Sequence, residues 1–307
     1  MEALSFFERS TQSNKPGCMI VSFSMEGTLW RIAGQSVDLS QHALIMGVLN
    51  VTPDSFSDGG EFFTEEKAIE QGVRMAAEGA RIIDVGGEST RPGAEPVSAE
   101  DELARVRPVI AKLREKISAF ISIDTTKAAV ALGALEGGAS IINDVTGGRA
   151  DPEMMPLAAE KKAAFIIMHM QGTPRTMQTN PHYDDVVTEV ADFFRQQYAR
   201  ALECGIDSMA IAFDPGIGFG KTVEHNLKLL ANLPRLRVHD RPIVVGVSRK
   251  SFLGKVIGSS ETGDRLAPTI AFTAMLRERG ANVLRVHHVK ENAAALRVAE
   301  RLLQTTT

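Results

Sequence analysis

The segment LIMGVL at residues 44–49 is a short apolar run followed by a polar residue, Asn50. Seven further runs of this kind occur along the chain, separated from one another by polar loops and by stretches with helical periodicity. They lie at residues 82–85, 120–123, 140–142, 164–168, 209–213, 243–247 and 283–286. Near-continuous apolar runs of this length are typical of parallel strands that are buried on both faces. The order of elements therefore predicts an α/β fold with a parallel sheet.

The number of strand–helix units decides between the two common parallel folds. A doubly wound open sheet more often has about five or six strands, whereas the closed barrel has eight. The eight runs therefore predict a (β/α)8 TIM barrel, and no linker rich in Pro, Gly or Ser divides the chain. We assign residues 41–307 to the barrel and residues 1–40 to an N-terminal extension.

The extension contains a predicted β-hairpin. Two largely apolar segments, at residues 19–23 and 28–32, flank the turn-forming sequence Met25-Glu26-Gly27. Such a hairpin could close the bottom of the barrel.

The composition is that of an ordinary soluble globular protein, and it excludes several classes of function. The 307 residues include 34 Lys and Arg against 38 Asp and Glu, which gives a net charge of −4 and no basic face for nucleic acid. The two cysteines, Cys18 and Cys204, exclude a disulfide framework and a cysteine-based zinc site. No stretch approaches the roughly 20 apolar residues of a membrane span, and residues 1–16 lack the apolar core of a secretory signal. We therefore expect a cytoplasmic enzyme that binds neither nucleic acid nor membrane.

Polar side chains follow every predicted strand, and barrel enzymes bind their ligands at the carboxyl ends of the strands. Capping of the next helix explains some of these residues, for example Asp144 and Thr125. It does not explain the cations, because a positive charge opposes the positive end of a helix dipole. The residues that follow the runs are Asn50, Glu88, Ser89, Thr90, Arg91, Asp124, Asn143, Asp144, His169, Asp214, Ser248, Arg249, Lys250, Arg285 and His287. This set predicts a pocket for an anionic ligand that is rich in hydrogen-bonding groups.

These side chains fall into two chemical groups. The first offers oxygens that can accept N–H bonds from a heterocycle with an amino-amide edge, and it comprises Asp124, Asn143 and Asp214. The second suits a phosphate or pyrophosphate and a magnesium ion with few protein ligands, and it comprises Lys250, Arg285, His287 and Asn50. A ligand with a nitrogen-rich ring at one end and a pyrophosphate at the other would satisfy both groups.

Two further features have simpler explanations. Residues 216–222 (GIGFGKT) approach the P-loop pattern, but Pro215 stands where the first Gly of that motif belongs. A histidine at the end of an apolar run, such as His169, is more often a packed structural residue than a ligand-binding one. Neither feature adds a residue to the predicted site.

Eight motifs, in order along residues 44–304, resemble those of the dihydropteroate synthase family. Two of them, GVLNVTPDSFSDGG at residues 47–60 and DVGGESTRPG at residues 84–93, are similar to the two signatures of that family. The others are SIDT at 122–125, INDV at 142–145, MHMQG at 168–172, DPGIGF at 214–219, SRKS at 248–251 and RVH at 285–287.

The resemblance implies a transferase of folate biosynthesis. In the family's reaction, 4-aminobenzoate displaces pyrophosphate from 6-hydroxymethyl-7,8-dihydropterin diphosphate and forms 7,8-dihydropteroate, a step that sulfonamides target. The resemblance also implies a Mg²⁺ cofactor and a homodimer.

Taken motif by motif, the resemblance implies three sets of site residues. The pterin ring would be held by Asp124, Asn143, Asp214 and Lys250. The diphosphate would be held by Arg285 and His287 with Thr90 nearby, and the magnesium by Asn50, to which Asp58 would add a carboxylate when its loop closes. The aminobenzoate pocket would be formed by Ser89, Arg91, Pro92, Phe219 and Ser248. The catalytic residues would be Asn50, Asp58, Lys250, Arg285 and His287.

Two positions depart from the family pattern. His288 stands where the family has Asp, and its side chain should point away from the site because adjacent strand residues face opposite sides. Pro268 stands where the family has a small residue such as Gly, on a helix that we expect at a subunit contact. The geometry of the dimer is therefore the property that these departures affect most.

Three other functions fit parts of the sequence. A pterin-binding methyltransferase module shares the barrel, but it would not need Arg91, and no Asp-x-His-x-x-Gly cobalamin motif is present. A Schiff-base aldolase would use Lys250 as its nucleophile and would require a desolvated lysine with a depressed pKa. A non-catalytic pterin-binding paralogue would keep the pocket without turnover.

Overall fold

Parallel strands form a barrel in the computed structural model, which describes residues 27–52, 65–89, 94–173 and 176–305. In chain order the strands of these ranges are β1 (Leu29–Ile32), β2 (Gln35–Asp38), β3 (Leu44–Asn50), β4 (Ile82–Gly86), β5 (Phe120–Asp124), β6 (Ile141–Asp144), β7 (Ala164–Met168), β8 (Ile211–Asp214), β9 (Val244–Gly246) and β10 (Val283–Val286). The last eight belong to one parallel sheet, and each overlaps one of the predicted apolar runs. The prediction of a (β/α)8 barrel is confirmed.

The sheet closes on itself in the order of the chain. The strands from β3 to β8 pair in chain order, and β10 lies between β9 and β3. A parallel bridge between Phe213 of β8 and Ile243, next to β9, completes the ring. The N–H of Phe213 donates to the carbonyl of Pro242 at 2.9 Å beside this bridge.

Helices surround the barrel on the outside. Within the described ranges they are α1 (Glu65–Ala77), α2 (Ala99–Lys116), α3 (Ala128–Glu136), α4 (Met154–Glu160), α5 (Val186–Glu203), α6 (Val223–Ala231), α7 (Ser251–Ile257), α8 (Leu266–Glu278) and α9 (Val289–Thr305). Pro268 lies in the first turn of α8, where backbone N–H groups have no partner within the helix, so the helix accommodates it. None of these helices is long and apolar enough to cross a membrane.

Alternation along the strands separates two apolar layers. Side chains that face the helices, such as Ile83 and Val85 of β4, join the larger core between the barrel and the helices. Side chains of opposite parity, such as Met46, Ile82 and Val283, fill the lower half of the barrel interior. Every second residue of a strand faces the barrel interior. Near the carboxyl ends of the strands these inward-facing residues are polar, so the upper half of the interior is polar.

An N-terminal hairpin is present, and its strands within the described residues are β1 and β2, which pair antiparallel. The predicted first strand, residues 19–23, lies outside the described residues. Ala33 and Gly34 form the two-residue turn with positive φ values of 49° and 76°, as a type I′ hairpin turn requires. Ala is a weak signal for such a turn, which is why the sequence analysis did not predict this one.

The hairpin closes the lower end of the barrel. Trp30, Ile32 and Leu39 are fully buried and pack against the apolar interior layer. The indole N–H of Trp30 donates to the carbonyl of Ala210 at 3.0 Å, which ties the hairpin to the start of β8. With this end filled by side chains, the end at the strand carboxyl termini is left for ligands.

Candidate active site

The upper half of the barrel interior is a polar layer. Most of its members stand two residues after an apolar interior residue, as Asp84 stands after Ile82 and Arg285 after Val283, and Asp124 stands two residues after Ser122. The residues at these interior positions near the strand carboxyl ends are Asp84, Ser122, Asp124, Asn143, Asp214 and Arg285. The structure therefore brings together residues that the sequence distributes over five strands.

Arg285 lies at the centre of this layer and bonds to two carboxylates. Its Nε donates to Oδ2 of Asp84 at 2.6 Å, and its Nη2 donates to Oδ2 of Asp124 at 2.6 Å. Burial alone would lower the pKa of Arg285, but the charges of Asp84 and Asp124 raise it above its ordinary value. Arg285 therefore stays positive at every working pH. A ligand can accept only from the guanidinium N–H groups that do not already donate to Asp84 and Asp124.

Asp84 is a site residue that the sequence analysis did not assign. It is fully buried, and its Oδ2 also accepts a hydrogen bond from Nδ2 of Asn143 at 3.2 Å. The signal in the sequence was an acidic residue inside an otherwise apolar strand, at a position that faces the barrel interior. Its role is to fix Arg285 and Asn143 next to each other.

Asp124 offers an oxygen to a ligand. Among the described residues, its buried Oδ1 has no hydrogen-bond partner, while Oδ2 is held by Arg285. Burial raises the pKa of Asp124 to about 7, which the charge of Arg285 opposes and the charge of Asp84 reinforces. A buried acceptor without a partner costs free energy, and an N–H group of a ligand can recover this free energy by donating to it.

Asp214 and Lys250 form the opposite side of the layer. Oδ1 of Asp214 accepts from the N–H of Gly216 at 2.7 Å, and burial raises the pKa of this carboxyl. Burial lowers the pKa of Lys250 to about 8, although the charge of Asp214 favours the ammonium form. The Nζ of Lys250 donates to the carbonyl of Ile217 and lies 4.9 Å from the centroid of the Phe219 ring.

Ser248 and His287 join the two predicted subsites. The hydroxyl of Ser248, assigned to the aminobenzoate side, lies 3.0 Å from Nδ1 of His287, assigned to the diphosphate side. The same hydroxyl accepts the backbone N–H of His287 at 3.2 Å. The adjacent His288 has a different partner, since its Nε2 lies 3.3 Å from Nη2 of Arg249.

His169 and Lys221 have structural contacts, as the sequence analysis expects for His169. Both are buried, and Nζ of Lys221 lies 2.9 Å from Nδ1 of His169. Burial and the neighbouring charge of Lys221 lower the pKa of His169 to about 2, so its imidazole is neutral. Lys221 also donates to the carbonyls of Gly216 and Phe219, which leaves it unsuited to the phosphate-binding role of a P-loop lysine.

The loop after β8 requires a glycine at position 216. Its φ is +64°, and a Cβ there would lie 1.9 Å from the carbonyl oxygen of His169. The loop backbone at Gly216 therefore lies so close to the end of β7 that a residue with a side chain would clash.

The predicted capping of the next helix by Asp144 is wrong, because α4 begins only at Met154 and Glu153 holds its N-cap position. Asp144 stabilises the loop after β6 instead. Its Oδ1 accepts the N–H of Thr146 at 2.7 Å, and its Oδ2 accepts the N–H of Gly148 at 2.9 Å. The side chain is therefore engaged with the loop after β6 and does not belong to the ligand pocket.

Asn50 lies beside the carboxylates but not within a metal cluster. Its Oδ1 is 3.9 Å from the position that a Cβ on Gly86 would occupy, and Cβ of Asp124 is 3.6 Å from that position. Asn50 and Asp124 thus flank the same small gap at the mouth of the barrel. In the ranges that the structure describes, no three His, Cys, Asp or Glu residues are grouped to hold a metal ion.

Several predicted site residues lie outside the described residues. They are Asp58, Thr90, Arg91 and Pro92. Ser89 is described and partly buried, at the start of the connection from β4 to α2.

Comparison with known proteins defines the class. The family model described as "Pterin binding enzyme" matches residues 46–287, which is most of the chain. The chain therefore belongs to the pterin-binding enzymes.

Several similar proteins belong to one kind of pterin-binding enzyme. The chain is 45% identical to the dihydropteroate synthase of Synechocystis over 270 residues, which cover 88% of this chain and 93% of that protein. It is 46% identical to the dihydropteroate synthase of Escherichia coli K12 over 272 residues, covering 88% and 95%. The crystal structure of the Yersinia pestis enzyme with a sulfonamide drug superposes with a TM-score of 0.85 at 40% identity, covering 90% of this chain and all of that one. The chain is a member of the dihydropteroate synthases, which are transferases.

Proposed function

We propose that the mouth of the barrel condenses 6-hydroxymethyl-7,8-dihydropterin diphosphate with 4-aminobenzoate and releases pyrophosphate. The observation that supports this reaction best is the pair of buried carboxylate oxygens, Oδ1 of Asp84 and Oδ1 of Asp124, without partners among the described residues. A neutral ring rich in N–H donors complements them. The related Xanthomonas albilineans enzyme, with 98% of its chain covered, was solved with 4-aminobenzoic acid (41% identity, TM-score 0.83).

The pterin ring is assigned to the carboxylate side of the layer. Asp124 would accept N–H bonds from the amino-amide edge, with Asn143 and Asp214 beside it. Lys250 would donate to a ring carbonyl in place of the carbonyl of Ile217, which it contacts here. The depressed pKa of Lys250 follows from burial in this layer and does not by itself require a Schiff base.

The diphosphate is assigned to Arg285, His287 and Thr90. The residues present fit a magnesium ion whose other ligands are substrate oxygens, because Asn50 offers one amide oxygen at the mouth and Mg²⁺ commonly has few protein ligands. Asn50 and Asp58 would hold the ion, which when bound neutralises charge on the leaving diphosphate. Arg285, held in place by Asp84 and Asp124, supplies a positive charge that does not titrate.

In the bond-forming step, the amine nitrogen of 4-aminobenzoate bonds to the exocyclic methylene carbon of the pterin. The bond from that carbon to the diphosphate oxygen breaks, and its electron pair leaves with the diphosphate. The nitrogen then loses a proton to give 7,8-dihydropteroate, and no strong general base is needed because the electrophile is strong. The aminobenzoate is assigned to Ser89, Arg91, Pro92, Phe219 and Ser248.

The assembly we propose is a homodimer in the cytoplasm. Exposed apolar side chains occur together on the last three helices of the barrel, and they are Val256, Ile257, Met275, Val298 and Leu302. Two of these helices, α8 and α9, pack against each other, which supports one continuous contact surface. An exposed free thiol at Cys204 fits a reducing compartment.

The division of the chain into an extension, residues 1–40, and a barrel, residues 41–307, remains our proposal. The contacts of Trp30 and Leu39 with the barrel interior support an extension that is part of the barrel's fold and not a separate domain.

Product formation tests the proposed reaction. The purified protein is incubated with both substrates and Mg²⁺, and 7,8-dihydropteroate is measured by chromatography and mass spectrometry. The proposal expects product only when both substrates are present. Pterin binding without product would favour a non-catalytic paralogue, and borohydride trapping of an adduct on Lys250 would favour an aldolase.

A further inference from the structure

A three-residue cluster, formed by Glu88, Glu102 and Lys127, lies beside the site and has no role in the chemistry described above. Nζ of Lys127 donates to Oε2 of Glu88 at 2.5 Å and to Oε2 of Glu102 at 2.6 Å. Glu88 lies two residues after β4, Glu102 belongs to α2, and Lys127 occupies the N-cap position of α3. We call this cluster the lysine clamp, because one ammonium group joins three elements.

Glu88 also joins the two ends of the connection between β4 and α2. Its second oxygen, Oε1, accepts the backbone N–H of Val97 at 3.1 Å, nine residues further along the chain. Ser89, the first residue of the predicted aminobenzoate set, follows Glu88 directly. The position of the Glu88 side chain therefore sets where this connection leaves and re-enters the body of the barrel.

The connection is pressed against α2 at the same point. A Cβ on Gly87 would lie 2.7 Å from Cγ1 of Val106 and 2.9 Å from Cγ of Glu102, so only glycine fits. Nη1 of Arg105 donates to the carbonyl of Gly87 at 2.9 Å. These contacts fix the backbone on one side of Glu88, and the lysine clamp fixes its side chain.

The charges of the clamp depend on one another. Glu102 is fully buried, whereas Lys127 is 26% exposed. Burial alone would lower the pKa of Lys127, but its hydrogen bonds with Glu102 and Glu88 raise the pKa above its ordinary value. Removal of Lys127 would leave the Glu102 charge buried without a counter-charge, which is strongly destabilising locally.

Lys127 also stands three residues after Asp124, in the connection that follows β5. The clamp therefore links the connection that carries the predicted pterin carboxylate to the connection that begins with Ser89. In the described part of the chain, the hydrogen bonds of these side chains join them to one another and to Val97, and none runs to Asp124, Asp84 or Arg285.

We infer that Lys127 is a positioning residue that, through Glu88, holds the two described ends of the β4–α2 connection, Ser89 and Val97, against α2 and thereby positions Ser89 at the aminobenzoate side of the site. The inference rests on the proposed function for the identity of the second substrate. The contacts of Glu88 with Val97 and with Lys127 can be tested whether or not the protein turns over substrate.

Steady-state kinetics of Lys127→Met test the inference. The variant should raise KM for 4-aminobenzoate about 10-fold or more and change KM for the pterin diphosphate less than about 2-fold. Lys127→Arg should restore most of the wild-type KM, since a guanidinium can reach both carboxylates. The matched control is Lys112→Met, which breaks the exposed Lys112–Glu115 pair on α2 and should leave both constants unchanged. Equal rises in the two KM values, or no rise, would overturn the inference.

Amide hydrogen exchange of the wild-type and variant proteins supplies a readout without substrate. Lys127→Met should accelerate exchange of the Val97 amide, and Lys112→Met should not. Unchanged exchange at Val97 would overturn the clamp even in an active enzyme, whereas accelerated exchange in a protein without turnover would refute only the proposed function. If Lys127→Met does not fold, the kinetics of Glu88→Gln are measured instead, because the neutral amide loses the ion pair with Lys127. KM for 4-aminobenzoate should then rise more than KM for the pterin diphosphate, and equal or absent rises would overturn the inference.

Discussion

At the scale of residues, the site is a set of charges that a ligand completes. Arg285 is shared by Asp84 and Asp124, so the positive charge that the sequence analysis placed at the mouth is already balanced by carboxylates. The oxygens that remain without partners in the described part of the chain, Oδ1 of Asp84 and of Asp124, are acceptors. The interior of the barrel therefore favours a neutral N–H donor, and an anion is best placed above it.

Asp124→Asn tests the assignment of the pterin end. The amide keeps the size of the carboxylate but loses its charge and one acceptor, so pterin binding should weaken about 10- to 100-fold. Binding of 4-aminobenzoate should change much less. Calorimetric titration with each ligand measures both effects, and equal losses for the two ligands would contradict the division of roles.

The pH dependence of kcat/KM for the pterin diphosphate follows from two pKa shifts. Asp124 must be deprotonated to accept N–H bonds, and with a pKa of about 7 its carboxylate is lost as the pH falls below 7. Lys250 must be protonated to donate as an ammonium, and with a pKa of about 8 its charge is lost as the pH rises above 8. The profile should therefore be bell-shaped, with a fall of about tenfold per unit on each side.

The Asp124→Asn enzyme is the control for this profile. It should lose the acid limb and keep the alkaline one. A profile that is flat between pH 6 and 9 would show that neither group controls pterin binding.

At the scale of elements, the strands could be predicted because both of their faces are buried, and their ends were correct to within about two residues. Site residues at strand ends, such as Asp124 and Lys250, could be predicted for the same reason, since all parallel strands end at one rim. Asp84 was missed because its importance comes from Arg285, 201 residues away in sequence. The lysine clamp was missed because its members are unremarkable surface-type residues until α2 and α3 pack together.

The hairpin of β1 and β2 should stabilise the barrel through Trp30. Trp30→Ala removes a fully buried side chain and the hydrogen bond to Ala210, and it should lower the free energy of unfolding by about 3–5 kcal/mol. Trp30→Phe keeps most of the volume and should cost clearly less. Urea denaturation followed by circular dichroism measures both variants, and a loss below about 1 kcal/mol in Trp30→Ala would show that the hairpin does not plug the barrel.

At the scale of the whole molecule, the net charge of −4 says little about the site, because the barrel separates the charges of its surface from those of its interior. Among the described residues, the hairpin fills the lower end of the barrel, so the polar layer faces the opposite end. The apolar side chains of α7, α8 and α9 remain exposed on one side of the barrel wall and account for the proposed dimer.

Sedimentation velocity tests the dimer. Val298 and Leu302 are 62% and 59% exposed. Val298→Glu or Leu302→Glu should convert the dimer to a monomer, because a two-fold interface contains each substituted residue twice. Leu202→Glu is the matched control, since Leu202 is an exposed apolar residue on α5, a helix that packs against α6 on another part of the barrel wall. A wild-type protein that sediments as a monomer at micromolar concentration would refute the proposed assembly.

The most direct test of the central claim is the stoichiometry of pyrophosphate release. The protein is mixed with the pterin diphosphate and Mg²⁺, and pyrophosphate is followed before and after 4-aminobenzoate is added. We predict negligible release before the addition, and afterwards one pyrophosphate for each 7,8-dihydropteroate formed. Release that does not depend on 4-aminobenzoate, or none in its presence, would contradict the claim that the mouth of this barrel joins the two substrates.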